Sequence, residues 1–118
     1  MDLSSKKPVR RLKLEYEGDG LAAGVLKYIP IKIVRFEITQ SWLNTDKELL
    51  MAQVKYINRK TGEVKNHPIW TESYSLIRDI KDTENKLPHY TKIRHDPKTG
   101  YLLWTALNDK EKSLLLNL

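Results

Sequence analysis

The chain contains no cysteine, which excludes disulfides, thiolate nucleophiles and every zinc site that needs sulfur, and leaves packing as the source of stability. It has no apolar run approaching the ~20 residues of a membrane-spanning helix. Its first residues, Met1-Asp2-Leu3-Ser4-Ser5-Lys6-Lys7, lack the apolar core of a secretory signal. An intracellular setting, cytoplasmic or nuclear, with no membrane is the expectation. A glycine-rich phosphate loop, a serine-centred elbow and a paired-carboxylate cleft are missing as well, so no cofactor is called for. The three histidines, His67, His89 and His95, are scattered, and the spacing of the last two fits no common metal pattern on a helix or an alternating strand.

What is present is an ordinary globular composition. Hydrophobic residues make up 40% and charged residues 31% of the 118, which is enough apolar material for one core and too much for general disorder. The net charge is +6 with a pI near 9.5. It is unevenly placed: Lys6, Lys7, Arg10, Arg11 and Lys13 against Asp2 concentrate most of it in the first thirteen residues, and the body is nearly balanced. Residues 1–8 are expected to form a flexible basic arm and residues 9–118 one compact α+β domain. Such an arm serves as a nucleic-acid or acidic-partner contact, or simply as a solvated tail.

Hydrophobic periodicity points to strands. Leu12, Leu14 and Tyr16 alternate with Lys13, Glu15 and Glu17, the period of two of a half-buried strand. Leu21 to Ile29 reads as a loop or one helical turn. From Ile31 to Trp42 the apolar phase runs Ile29, Ile31, Ile33 and then switches to Val34, Phe36, Ile38, which a β-bulge near Val34 would explain. After the turn Asn44-Thr45-Asp46, Leu50, Ala52, Val54 and Tyr56 resume the alternation.

Two turns share the pattern (Asn or Asp)-x-Lys-Thr-Gly: Asn58-Arg59-Lys60-Thr61-Gly62 and Asp96-Pro97-Lys98-Thr99-Gly100. The first side chain can hydrogen-bond the local backbone and the glycine can take the left-handed conformation that closes a hairpin. Between the hairpins, Thr71 can cap a helix near Glu72 to Lys81, with Tyr74, Ile77 and Ile80, or Leu76 and Ile80, as its apolar stripe. Asp82 to Lys86 reads as a polar loop. Asn108 or Asp109 can cap a terminal segment ending in Leu114-Leu115-Leu116-Asn117-Leu118, whose apolar end calls for burial in the core or against a second copy in a homodimer. The fold expected is α+β, a mainly antiparallel sheet of about five to six strands with one or two short helices.

On the second hairpin, pairing Asp96 with Tyr101 puts Tyr90, Lys92, Arg94, Tyr101 and Leu103 on one face, with Ile93, Leu102 and Trp104 toward a core. Rings interleaved with cations suit single-stranded nucleic acid, because bases stack on rings while Lys and Arg follow phosphates. The same pattern also fits a second apolar layer with snorkelling cations. The first hairpin adds Lys55, Arg59, Lys60 and Lys65, and Lys98 sits in the second turn. Its alternation leaves the faces unresolved, since Lys65 and His67 would fall on the side of Val54 and Tyr56.

Residues 47–80 carry a resemblance. The run Leu49-Leu50-Met51-Ala52-Gln53-Val54-Lys55-Tyr56, then Gly62-Glu63-Val64-Lys65, then Ile69 and a helix containing Tyr74 and Ile77, resembles the strand, Gly-Glu turn, strand and helix of the positive cofactor four (PC4-like) single-stranded DNA-binding family. The resemblance implies a sheet surface gripping single strands in a dimer, with Lys55, Tyr56 and Lys65 at matching positions.

The expectation is therefore a small basic module that binds single-stranded DNA or RNA by phosphate neutralisation and stacking, without catalytic residues. An alternative is a protein-interaction or scaffold subunit of an oligomer. A third is a metal-dependent nuclease, in which Asp46 and Glu63 would hold magnesium and Lys65 would steady the developing charge.

Overall fold

Six strands and two short helices account for most of the residues that the computed structural model describes, which are 14–42, 44 and 46–118. Lys6, Lys7, Arg10, Arg11 and Leu12 lie outside them. The strands are β1 (Leu21–Ala22), β2 (Ile31–Gln40), β3 (Glu48–Ile57), β4 (Val64–Thr71), β5 (His89–His95) and β6 (Leu102–Thr105); the helices are α1 (Tyr74–Ile80) and α2 (Asp109–Leu115). In space the order is β1-β4-β3-β2-β5-β6. This is the expected α+β fold, antiparallel throughout except that β1 pairs with β4 in parallel.

Strand alternation sends one set of side chains to the core. Ile31 and Ile33 of β2, Leu50, Ala52, Val54 and Tyr56 of β3, Ile69 of β4 and Ile93 of β5 are buried together, with Phe36, Ile38, Leu102 and Trp104 packed against them. The phase switch in β2 is a bulge: the register with β3 shifts between Ile33 and Arg35, so the extra residue Val34 returns Phe36 and Ile38 to the core side. Each fully buried Ile or Leu here contributes about 1.5–3 kcal/mol relative to exposure.

β5 pairs with β2 over three residues only, Ile31 to Ile33 against Thr91 to His89, and the rest of β5 pairs with β6. The sheet therefore curls. The segment Leu21 to Tyr28 closes the curl: β1 lies beside Ile69 and Trp70 of β4, a short 3₁₀ turn at Ala23–Leu26 buries Ala23 and Leu26, and Lys27 bridges to Ile93 of β5. The α1 stripe of Leu76, Ile77 and Ile80 covers the core from the other side. Tyr74 points outward, so of the two stripes expected, the Leu76 and Ile80 alternative holds, joined by Ile77. Ser73, not Thr71, is the cap, with its Oγ accepting from the Leu76 N–H; Thr71 ends β4. The polar run Asp82 to Lys86 extends the helix as a 3₁₀ turn rather than as open loop. At α2 the cap is Asn108, in a reciprocal capping box with Glu111.

The expected first strand is not one over its described part. Residues 14–20 instead form a strap across the polar side of the sheet, and side chains take the place of a neighbouring strand. Glu37 Oε1 accepts from the Leu14 N–H at 2.9 Å, and Arg35 donates to the Glu15 carbonyl. Gln53 does most: its Oε1 accepts from the Glu17 N–H at 2.9 Å, while its Nε2 donates to the Glu17 carbonyl at 3.0 Å and to Asn66 Oδ1 at 2.7 Å. Burial, with the Tyr16 hydroxyl donating to Glu37, pushes the Tyr16 phenol well above its ordinary value. Gly18, at φ +88°, sits so close to the Asn66 carbonyl that a Cβ would approach it to 2.8 Å.

Gln53 is only 2% exposed and satisfies three strap and sheet groups. Gln53→Ala should cost about 1–3 kcal/mol in urea unfolding and speed hydrogen exchange at the Glu17 amide. Unchanged stability and exchange would show that the strap is held by other contacts.

Candidate nucleic-acid interface

The two hairpin turns are built alike, as their shared sequence demands. Asn58 and Asp96 each receive the glycine N–H on their carbonyl at 2.7 Å, from Gly62 and Gly100, both at φ +76°. Asn58 Oδ1 accepts from Lys60 N–H and Asp96 Oδ1 from Lys98 N–H, and each threonine hydroxyl accepts the N–H two residues on, Glu63 and Tyr101. The Lys98 N–H and then the Thr99 hydroxyl, both donating to it, hold the Asp96 carboxyl below its usual range. Lys60 and Lys98 thus stand exposed at equivalent positions, without an ion-pair partner among the described residues.

The register of β5 with β6 is the one the turn demands. Asp96 N–H donates to the Tyr101 carbonyl, and Arg94 lies opposite Leu103, so Tyr90, Lys92 and Arg94 share the side away from the core. That face is not open along its length, because α2 and the residues after it lie on it. Lys92 Nζ and Glu111 Oε2 are 2.8 Å apart with side chains 25% and 16% exposed; Lys112 Nζ stands 5.9 Å from the Tyr90 ring centre; Lys32 donates to the Leu118 main-chain oxygen. Leu115 is the residue that α2 buries, while Leu114 and Leu116 stay exposed. Tyr90 is half-buried, as is Arg94, and Tyr101 is exposed on the wall of a cleft that it shares with Tyr74 and Arg78.

The face conflict in the first hairpin is resolved by its register. Tyr56 pairs with Lys65 and Val54 with His67 on the core side, where the Tyr56 and His67 rings lie 6.1 Å apart. Lys55 is on the opposite side, between Lys32 and Asn66. Of the three positions taken from the resemblance, then, Tyr56 is buried, Lys65 is paired with Glu63 at 3.2 Å, and Lys55 faces away from both. The nuclease constellation is not assembled either: Asp46 precedes β3 and Glu63 follows it, so a ten-residue strand, roughly 30 Å at ~3.3 Å per residue, separates them.

The structure adds a junction absent from the sequence reading. Tyr28 is 52% exposed and has φ +65°, a strained conformation for a bulky residue. Its carbonyl accepts from the Arg59 guanidinium, its N–H donates to the Ile93 carbonyl at 2.7 Å, and its hydroxyl accepts from the His95 N–H. One tyrosine thus ties the first hairpin turn to β5, with Lys27, Arg59 and His95 exposed around it. Arg59 is also close enough to Glu111 to lower its carboxyl, after the larger effects of Lys92 and the Asn108 N–H. Compared with known proteins, the chain matches no family model, no curated protein and no solved structure.

Glu111 titrates lower in the folded protein than in the unfolded chain, so its contribution is complete above the ordinary carboxylate range and is lost as pH falls through the lowered folded value. Acidifying from neutrality to about pH 3 should therefore loosen α2, seen as movement of the Leu115 methyl resonances by NMR. Glu111→Gln should abolish that pH dependence; its persistence would place the titrating group elsewhere.

Proposed function

We propose that the protein is a small single-stranded nucleic-acid-binding module, and that its contact surface is centred on Tyr28 rather than on the Tyr90 and Lys92 face. The observation that carries this reading is the junction itself: an exposed aromatic ring, held out by a strained backbone, with Lys27, Arg59 and His95 around it and Lys60 in the adjoining turn. Phosphates are drawn by cations without competing carboxylates, a condition met better by Lys60 than by Arg59, which also feels Glu111, and a ring gives any base a surface to stack on. Lys92 is a poorer candidate because Glu111 already serves as its counter-ion. The resemblance of residues 47–80 to the PC4-like family supports the same ligand class, and the basic arm of Lys6, Lys7, Arg10 and Arg11 would add sequence-independent attraction. A cysteine-free chain with this ligand suits an intracellular setting.

Fluorescence anisotropy with a labelled single-stranded oligonucleotide across a salt series tests the reading. Affinity should fall steeply with salt, and Lys60→Ala should reduce the slope of log K against log salt by about 1. Tyr28→Gly should weaken binding about tenfold through loss of stacking, while glycine tolerates the positive φ and leaves urea stability within about 1 kcal/mol. No binding at low salt would overturn the proposal, and binding lost entirely in a chain beginning at Leu14 would move the contact from the sheet to the arm.

A second reading, an oligomer contact through α2, is favoured by one observation: Leu114 and Leu116 flank buried Leu115 and remain 55% and 54% exposed. If they meet a second copy, sedimentation should show a dimer that Leu114→Glu converts to monomer. A monomer at all accessible concentrations would dispose of this reading.

A further inference from the structure

β6 stops at Thr105, opposite Lys92, so the first residues of β5 have β2 on one side and no strand on the other. Main-chain groups alternate in direction along a strand. Asp96 N–H donates to Tyr101, on the β6 side, and the Ile93 carbonyl accepts from Tyr28, on the β2 side. Even-numbered residues of β5 therefore address β6, and Tyr90 N–H and C=O point at the edge that β6 vacates. A cleft of about 540 Å³ opens there, bounded by His89, Tyr90, Trp104, Leu107 and Lys112. Trp104 is fixed in it, its Nε1–H donating to the Leu76 carbonyl at 2.8 Å. Lys112 is on the outer part of α2, with its ammonium at the mouth.

We infer that this cleft is a nucleobase subsite, taking one base of a single strand edge-on to Tyr90. The inference rests on the nucleic-acid reading and extends it to a second position, five residues or roughly 17 Å along β5 from His95. A base is favoured over a peptide strand by the number of main-chain groups on offer. An added strand needs a run of free edge amides, whereas here a single residue presents one donor beside one acceptor. Every nucleobase carries an adjacent donor and acceptor on its Watson–Crick edge, and its flat faces suit walls of indole, phenol and imidazole. Lys112 supplies the cation for the attached phosphate. The volume falls within the range of small-ligand sites.

The test is a ¹⁵N NMR titration of the full chain with adenosine monophosphate, with uridine monophosphate and with inorganic phosphate, run beside the oligonucleotide anisotropy assay. Both nucleotides should shift the Tyr90 amide and the Trp104 indole resonance, and phosphate alone should not. Ala106→Trp, which fills the cleft from an exposed position, should weaken nucleotide binding about tenfold, and Lys112→Glu should weaken it several-fold by reversing the charge that the cleft offers to the phosphate. Equal shifts with phosphate alone, or no shift at Tyr90 while the oligonucleotide still binds, would overturn the subsite and leave the Tyr28 surface standing. Nucleotide shifts at Tyr90 without oligonucleotide binding would support the subsite and overturn the wider reading. Loss of both would overturn both.

Discussion

The short segment from Leu21 to Tyr28 has to reach from β4 to β5 across an open curl, and much of the structure follows from how it does so. A run this short cannot wander: it pairs with Ile69 and Trp70, makes one 3₁₀ turn that buries Ala23 and Leu26, and arrives at Ile93 with the chain aimed away from β2. Entering β2 at Ile31 then requires a sharp reversal. The strain of that reversal falls on Tyr28 at φ +65°, where a bulky residue costs roughly 1–3 kcal/mol. The main-chain and hydroxyl contacts of Tyr28 to Arg59, Ile93 and His95 are what hold it there, so the exposed ring and its surrounding cations are a by-product of closing the core.

The sheet solves a different problem on its other side. Its core face is mostly apolar, with Lys65 and His67 standing toward the hairpin end of β4, but the opposite face carries Arg35, Glu37, Gln53 and Asn66, which need partners wherever water is excluded. The strap of residues 14–20 supplies them with its own main chain, so that two sets of polar groups satisfy each other. Further along the same side α2 repeats the arrangement with charge, Glu111 on Lys92, around a single buried leucine. The polar face is thus covered twice, and neither cover uses a strand ladder.

What was legible in the sequence was whatever depends on near neighbours. The Lys-Thr-Gly turns follow from residues within five positions of one another, and both formed as read. The bulge at Val34 showed as a phase change because a pleat has a fixed period of two. The strap was misread for the same reason: a period of two in the side chains looks the same whether the main chain is held by another strand or, as at Leu14 and Glu17, by the side chains of Glu37 and Gln53. Tyr28 gave no signal at all, since its conformation is imposed by closure between β4 and β5. Register put Tyr90 and Lys92 on the predicted face, but nothing local says that α2 will lie on it.

Coverage changes what a pattern of rings and cations is worth. For a phosphate to reach Lys92 it must replace a carboxylate already 2.8 Å from the ammonium, in a pair mostly withdrawn from water. The exchange trades one charge-assisted hydrogen bond for another and frees Glu111 to be resolvated, so its net return is small. At Lys60 the trade is with water and mobile ions, and counter-ion release adds to the return, while Arg59 keeps its bond to the Tyr28 carbonyl and feels Glu111 only at longer range. Two surfaces that look alike as strings of letters should therefore differ in affinity for an anion. The difference lies in where the chain has spent its own carboxylates, which favours the junction at Tyr28 over the face that the sequence pattern singled out.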